Sequence, residues 1–143
     1  MKTYRVGILG FGFIGKVHAY GYANLPFFYD PVPLAARITH VVTSRMETAE
    51  KGRQIVGADV AATDYHAVTE NPAIDIVHIC TPNHLHKDAL LSAMRHQKHV
   101  YCDKPLAVTL DDARAIVAAA EARPELTHGM ALHCRFVPAT KRQ

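Results

Sequence analysis

The sequence has no tryptophan, and its three cysteines, Cys80, Cys102 and Cys134, are widely spaced and odd in number. That pattern excludes a disulfide framework and offers no zinc-type pair, so reduced core thiols are expected. No apolar run approaches the roughly 20 residues that a bilayer-spanning helix needs. Met1-Lys2-Thr3 leads directly into an apolar strand, with no separate hydrophobic leader and cleavage site, which predicts a cytoplasmic protein. The formal charge is only +3, and no segment carries a basic stripe or interleaved aromatics, so nucleic acid is not an expected partner. Ten histidines are many, yet His84 and His86 stand two apart and do not share a helix face, and no metal site is expected. What remains is ordinary: 143 residues, 49% hydrophobic and 20% charged, predict one globular domain over residues 1–143.

The chain is organised around Tyr4-Arg5-Val6-Gly7-Ile8-Leu9-Gly10-Phe11-Gly12-Phe13-Ile14-Gly15. An apolar run from Val6 to Leu9 suits a buried parallel strand, and Gly10, Gly12 and Gly15 have the G-x-G-x-x-G spacing that opens a helix beneath a pyrophosphate. Gly10 permits the sharp turn, Gly12 removes the Cβ that would hold the backbone off the phosphate, and Gly15 lets the helix lie close on the strand. The free N–H groups of Phe13, Ile14 and Gly15 would face the anion. Glycine turns of this spacing also occur with no ligand. Here the preceding strand, and a following helical face of Ile14, Val17, Gly21 and Leu25, favour nucleotide binding.

Downstream, the three prolines and aromatics of residues 26–33 predict an ordered loop rather than helix. Strands are predicted over 37–43, 60–63, 74–81, 99–102 and 126–134, and helices over 47–56, 65–69, 85–97 and from residue 110. The second helix should turn Ala49, Gly52 and Val56 inward, and the helix over 85–97 His86, Leu90, Ala93 and Met94. Thr109 can cap the last helix with Asp112 three positions on, and Leu110, Ala113, Ile116, Val117 and Ala120 form its expected buried stripe. Six strands alternating with helices predict an α/β, doubly wound parallel sheet of Rossmann type in the order 3-2-1-4-5-6. Ligands of such sheets lie outside the carboxyl ends of the strands. That rule selects Ser44 and Arg45, Thr81 to His86, Asp103 and Lys104, and His133 to Arg135. An acid at the end of strand two would bond a ribose 2′-hydroxyl, but Ser44-Arg45 stand there and Asp30 falls in the loop ahead of the strand. NADP should therefore bind at least as well as NAD, with Arg45 against the 2′-phosphate.

With the glycine turn, Thr81-Pro82-Asn83-His84-Leu85-His86, Cys102-Asp103-Lys104-Pro105 and Arg135-Phe136-Val137-Pro138-Ala139 in view, the chain resembles the first domain of the glucose–fructose oxidoreductase/inositol dehydrogenase family. The resemblance implies oxidation and reduction of hydroxyl groups of sugars, cyclitols and related small molecules with NADP or NAD. It places Lys104 at the nicotinamide and substrate hydroxyl as the catalytic group, and Thr81, Asn83 and His86 along the nicotinamide half of the cofactor. Asp103 stands where the family usually has Glu, one methylene longer. Family members continue into a second domain that carries a catalytic His and much of the substrate pocket, which this sequence does not include. A stand-alone NAD(P)-binding or redox-sensing module without turnover is the alternative. Either way, Met130, Leu132, Phe136 and Val137 are expected to be partly uncovered, or covered by another copy in a homo-oligomer.

Overall fold

The computed structural model describes residues 2–137, and Pro138 and Ala139 of the exit motif lie outside that range. Strand β1 (Thr3–Leu9) leads into helix α1 (Phe13–Phe28), followed by β2 (Ala35–Val42), α2 (Met46–Val56), β3 (Val60–Ala62) and α3 (His66–Thr69). The second half runs β4 (Ile76–Ile79), α4 (His86–Arg95), β5 (His99–Cys102), α5 (Leu110–Glu121) and β6 (His128–Met130). A single 3₁₀ turn, Asn83–Leu85, precedes α4, and another, His133–Phe136, follows β6. All described pairings are parallel and the sheet order is β3-β2-β1-β4-β5-β6, the expected doubly wound arrangement.

The apolar run of β1 has its physical reason in this order. The strand is central, with β2 on one side and β4 on the other, and Val6, Ile8 and Leu9 have essentially no exposure. On one face of the sheet, Leu9, Val77, Ile79 and Val100 pack with Ala89, Leu90, Ala93 and Met94 of α4 and Ile116 of α5. On the other, Val6, Ile8, Ile38 and Val41 pack with Phe11 and with Ala19 of α1. Truncating a fully buried side chain such as Met94 to Ala costs about 2–5 kcal/mol.

The structure differs from the sequence reading at four places. Helix α1 continues through Pro26 to Phe28, where a loop was expected. Pro26 sits in the last turn, so its missing N–H removes one bond, and the helix still closes with Tyr29 N–H donating to the Leu25 carbonyl at 3.2 Å. The inward residues of α1 are Gly15 and Ala19, whereas Val17 and Gly21 are exposed. Small residues win that face because the helix crosses close to the glycine turn. Helix α5 likewise buries Ile116 with Ala119 and Ala120 against the core and leaves Leu110 and Val117 exposed. The last strand is only His128–Met130, because the chain turns at Leu132 into a 3₁₀ turn.

Helix α1 covers only part of its side of the sheet. A groove of about 820 Å³ remains between Val17, His18 and Tyr22 of α1 and Ile76, His78 and Tyr101 of β4 and β5. As expected, Leu132, Phe136 and Val137 are exposed and Met130 is half-buried.

Candidate cofactor site

The three motif glycines have three different surroundings. Gly10 adopts φ +85°, and a Cβ there would lie 2.6 Å from the Cys80 carbonyl oxygen, so both conformation and contact require glycine. A Cβ on Gly15 would lie 2.2 Å from the Gly10 carbonyl oxygen, which is the close helix-on-turn approach the spacing predicted. A Cβ on Gly12 would meet nothing within 4 Å, so that space is left open by the protein itself. The turn is fixed from below: Gly10 N–H donates to the Val42 carbonyl at 2.8 Å and Cys80 N–H to the Leu9 carbonyl at 2.7 Å. Lys16 N–H closes onto the Gly12 carbonyl as the first helical donor, so the amides of Phe13, Ile14 and Gly15 before it have no acceptor within the helix. Gly12 provides no side-chain cap and the first turn holds no acid, so nothing on the helix competes for an anion at these amides.

One connection away, at the same carboxyl edge, stand the residues after β4 and β5. Asn83 is half-exposed, and the Thr81 hydroxyl is turned inward with no hydrogen-bond partner among the described residues. Lys104 is exposed and unpaired by any described carboxylate. Asp103 has one oxygen engaged close to home: Oδ1 accepts from the Lys104 N–H at 2.8 Å. His86 is a correction to the expectation that it lines the cofactor. Its side chain has no exposure, and Nδ1 and Nε2 lie 3.0 and 2.9 Å from the Pro105 and Thr81 carbonyl oxygens. A ring buried under both loops with each nitrogen facing a backbone carbonyl offers no atom to a ligand.

At the other end of the edge, Ser44 and Arg45 are exposed where β2 gives way to α2. The Arg45 carbonyl accepts from the hydroxyls of Thr43 and Thr48, both at 2.8 Å, which fixes the backbone and leaves the guanidinium free of that task. Asp30 precedes β2 and therefore sits at the amino edge of the sheet, away from the glycine turn. His133 and Arg135 are exposed in the turn after β6, with the Arg135 guanidinium 5.6 Å from the Phe136 ring centroid.

Sequence reasoning missed a cluster beneath the site. His78 on β4 meets His18 of α1, Nδ1 of His18 against Nε2 of His78, and Cys80 Sγ lies 4.0 Å from the same His18 nitrogen. Burial pushes His78 down to about 3, with the nearby His18 adding to the effect, and burial also lowers His18. Two neutral rings that share one proton account for this convergence, and His78 Nδ1 has no described partner of the kind that orients a metal-bound imidazole. The signal in the sequence was the i, i+2 run Ile76, His78, Cys80, which places all three on one face of the strand. All three cysteines are free. Burial pushes the Cys80 and Cys102 thiols up to about 12, whereas Cys134 is exposed rather than in the core.

Residues 4–128 match the model of an oxidoreductase family with an NAD-binding Rossmann fold, the family the motifs indicated. The chain belongs to this family. It is 32% identical over 139 residues to the levoglucosan dehydrogenase of Pseudarthrobacter phenanthrenivorans, across 97% of this chain and 35% of that protein. It is also 32% identical over 114 residues to the myo-inositol 2-dehydrogenase of Thermotoga maritima, across 79% of this chain and 31% of the other. A levoglucosan dehydrogenase solved in complex with NADH and levoglucosan superposes with a TM-score of 0.91, covering 96% of this chain and 37% of that one. The chain thus spans about a third of the length of these relatives. Among the described residues, no helix is long and apolar enough to cross a membrane.

Proposed function

We propose that residues 1–143 form the dinucleotide-binding domain of an NAD- or NADP-dependent oxidoreductase that acts on a hydroxyl group of a sugar, cyclitol or related small molecule. The observation that carries this reading is the meeting, at one sheet edge, of an acid-free glycine turn with open space at Gly12 and an exposed lysine, Lys104. The amides of Phe13, Ile14 and Gly15 hold the pyrophosphate, with Gly10 and Gly15 setting the turn and Gly12 leaving room for it. Thr81, Asn83 and Asp103 flank the nicotinamide half, and Ser44 and Arg45 the adenosine ribose. When bound, the dinucleotide supplies the hydride acceptor or donor. Lys104 Nζ exchanges a proton with the substrate hydroxyl, the general acid–base half of the reaction. The names of the relatives, dehydrogenases of levoglucosan and of myo-inositol, support the substrate class.

Lys104→Ala in the enzyme that contains this domain tests the assignment. Turnover of polyols or sugars should fall by about 10²–10⁴-fold, the usual worth of a positioned acid–base group, while dinucleotide affinity changes little. Unchanged turnover would remove Lys104 from the chemistry. Arg45 has its own test: titration of the wild-type chain should show NADP bound at least as tightly as NAD, and Arg45→Glu should reverse that order. A tenfold or greater preference of the wild type for NAD, undiminished at low salt, would count against this role for Arg45.

A further inference from the structure

His86 holds a position that the proposed reaction leaves without a task. The Thr81 carbonyl, 2.9 Å from Nε2, belongs to the connection after β4, and the Pro105 carbonyl, 3.0 Å from Nδ1, to the connection after β5, next to Lys104. A backbone carbonyl only accepts and a neutral imidazole carries a single N–H, so the ring donates to one of the two carbonyls and lies packed against the other. Cys102 Sγ lies 3.3 Å from Nδ1 and 3.3 Å from the Asp103 carbonyl oxygen, so the thiol is within reach of both. The sheet ladder joins the two connections for the last time where Asp103 N–H donates to the Ile79 carbonyl at 2.8 Å. Past that point, among the described residues, the His86 ring alone lies within hydrogen-bond distance of both connections.

We propose that His86 is a positioning residue that clamps the Lys104–Pro105 connection to the Thr81–Asn83 connection, and so fixes the nicotinamide end of the cofactor site without touching the cofactor. The inference rests on the reading above that these two connections flank the nicotinamide half. His86 opens α4, and its neighbours in the helix, Ala89 and Leu90, are themselves buried in the core. The clamp is therefore anchored in the rigid part of the domain, and the two connections inherit their spacing from it. The glycine turn, held by the Val42 and Leu9 carbonyls, does not depend on His86.

That independence gives the test. ADP-ribose carries the pyrophosphate and adenosine but no nicotinamide, and NADH carries all three. In His86→Leu, which keeps bulk and loses the ring N–H, ADP-ribose should bind to the 143-residue chain as in the wild type, while NADH should bind about tenfold more weakly. His86→Gln, which keeps one donor, should recover part of the loss and serves as the test variant if His86→Leu does not fold. Equal weakening of both ligands would reveal a general structural role and overturn the clamp, and so would NADH affinity unchanged in both variants. If NADH binds the wild type no more tightly than ADP-ribose does, the nicotinamide assignment itself fails and the clamp falls with it. If NADH binds the wild type more tightly than ADP-ribose and both His86 variants keep that advantage in full, the clamp alone is wrong.

Discussion

Single residues at the glycine turn separate binding from folding. Gly12 has φ −75°, ordinary for any residue, and its Cβ would meet open space. Gly12→Val should therefore leave stability within about 0.5 kcal/mol of wild type while weakening dinucleotide binding at least tenfold, as read by urea unfolding and calorimetry on one preparation. Gly15→Ala should do the opposite first: its Cβ would lie 2.2 Å from the Gly10 carbonyl oxygen, and overpacking of that kind costs about 1–3 kcal/mol. The turn was legible in the sequence because each glycine answers a local steric demand that fixed spacing reports. The place of His86 was not. Its partners are carbonyls that every residue carries, supplied from positions 5 before and 19 after it, and no residue identity announces them. Asp103 shows the same limit, since engagement of its oxygen by the neighbouring Lys104 amide depends on backbone direction.

At the scale of elements, termini were easier to read than faces. Thr109 caps α5 as its spacing from Asp112 suggested, accepting from the Asp112 N–H at 3.1 Å. Asp112 also pairs with Lys87 of α4 at 2.6 Å, so the first turn of α5 is tied to its neighbour. Thr109→Ala should lower stability by about 1 kcal/mol, as read by urea unfolding. Periodicity identified α1 and α5 but assigned their inward faces by hydrophobicity, whereas packing chose small residues: Gly15 and Ala19 on α1, and Ala119 and Ala120 beside Ile116 on α5. How close a helix must come to its sheet is a property of the pair. It cannot be read from the helix alone. Pro26 marked a boundary too early for a related reason, since a proline in a last turn removes only one bond.

For the whole molecule, buried histidines make stability pH-dependent well above the carboxylate range. Burial lowers His78 to about 3, from an ordinary value of 6.5, and also lowers His18 and His40. Between those limits the unfolded chain binds protons that the folded chain refuses, so stability is full above about pH 6.5 and falls as pH drops toward 3. The urea midpoint should be lower near pH 5 than near pH 7.5, and His78→Leu should flatten the difference. A midpoint unchanged over that range would mean the His18–His78 pair is solvated. Catalysis is a second property of the whole. Orientation of two reactants contributes about 7–11 kcal/mol, and this domain presents one wall of a site, so residues 1–143 should bind dinucleotide but not turn over polyols or sugars. Turnover by the purified chain above its Lys104→Ala variant would overturn that expectation.

The central position of β1 also sets a timetable for synthesis. Val6 pairs with Ile38 on one side and with Ile76 on the other, and the Gly10 backbone rests against Cys80. The glycine turn is synthesised before the strand that buries its other flank, which is made some seventy residues later. Until then β1 is an apolar segment with an unpaired edge, the kind of surface that invites wrong partners. Closing so long a loop costs entropy before any contact repays it, so the anion cradle should mature only after β4 has been made and docked.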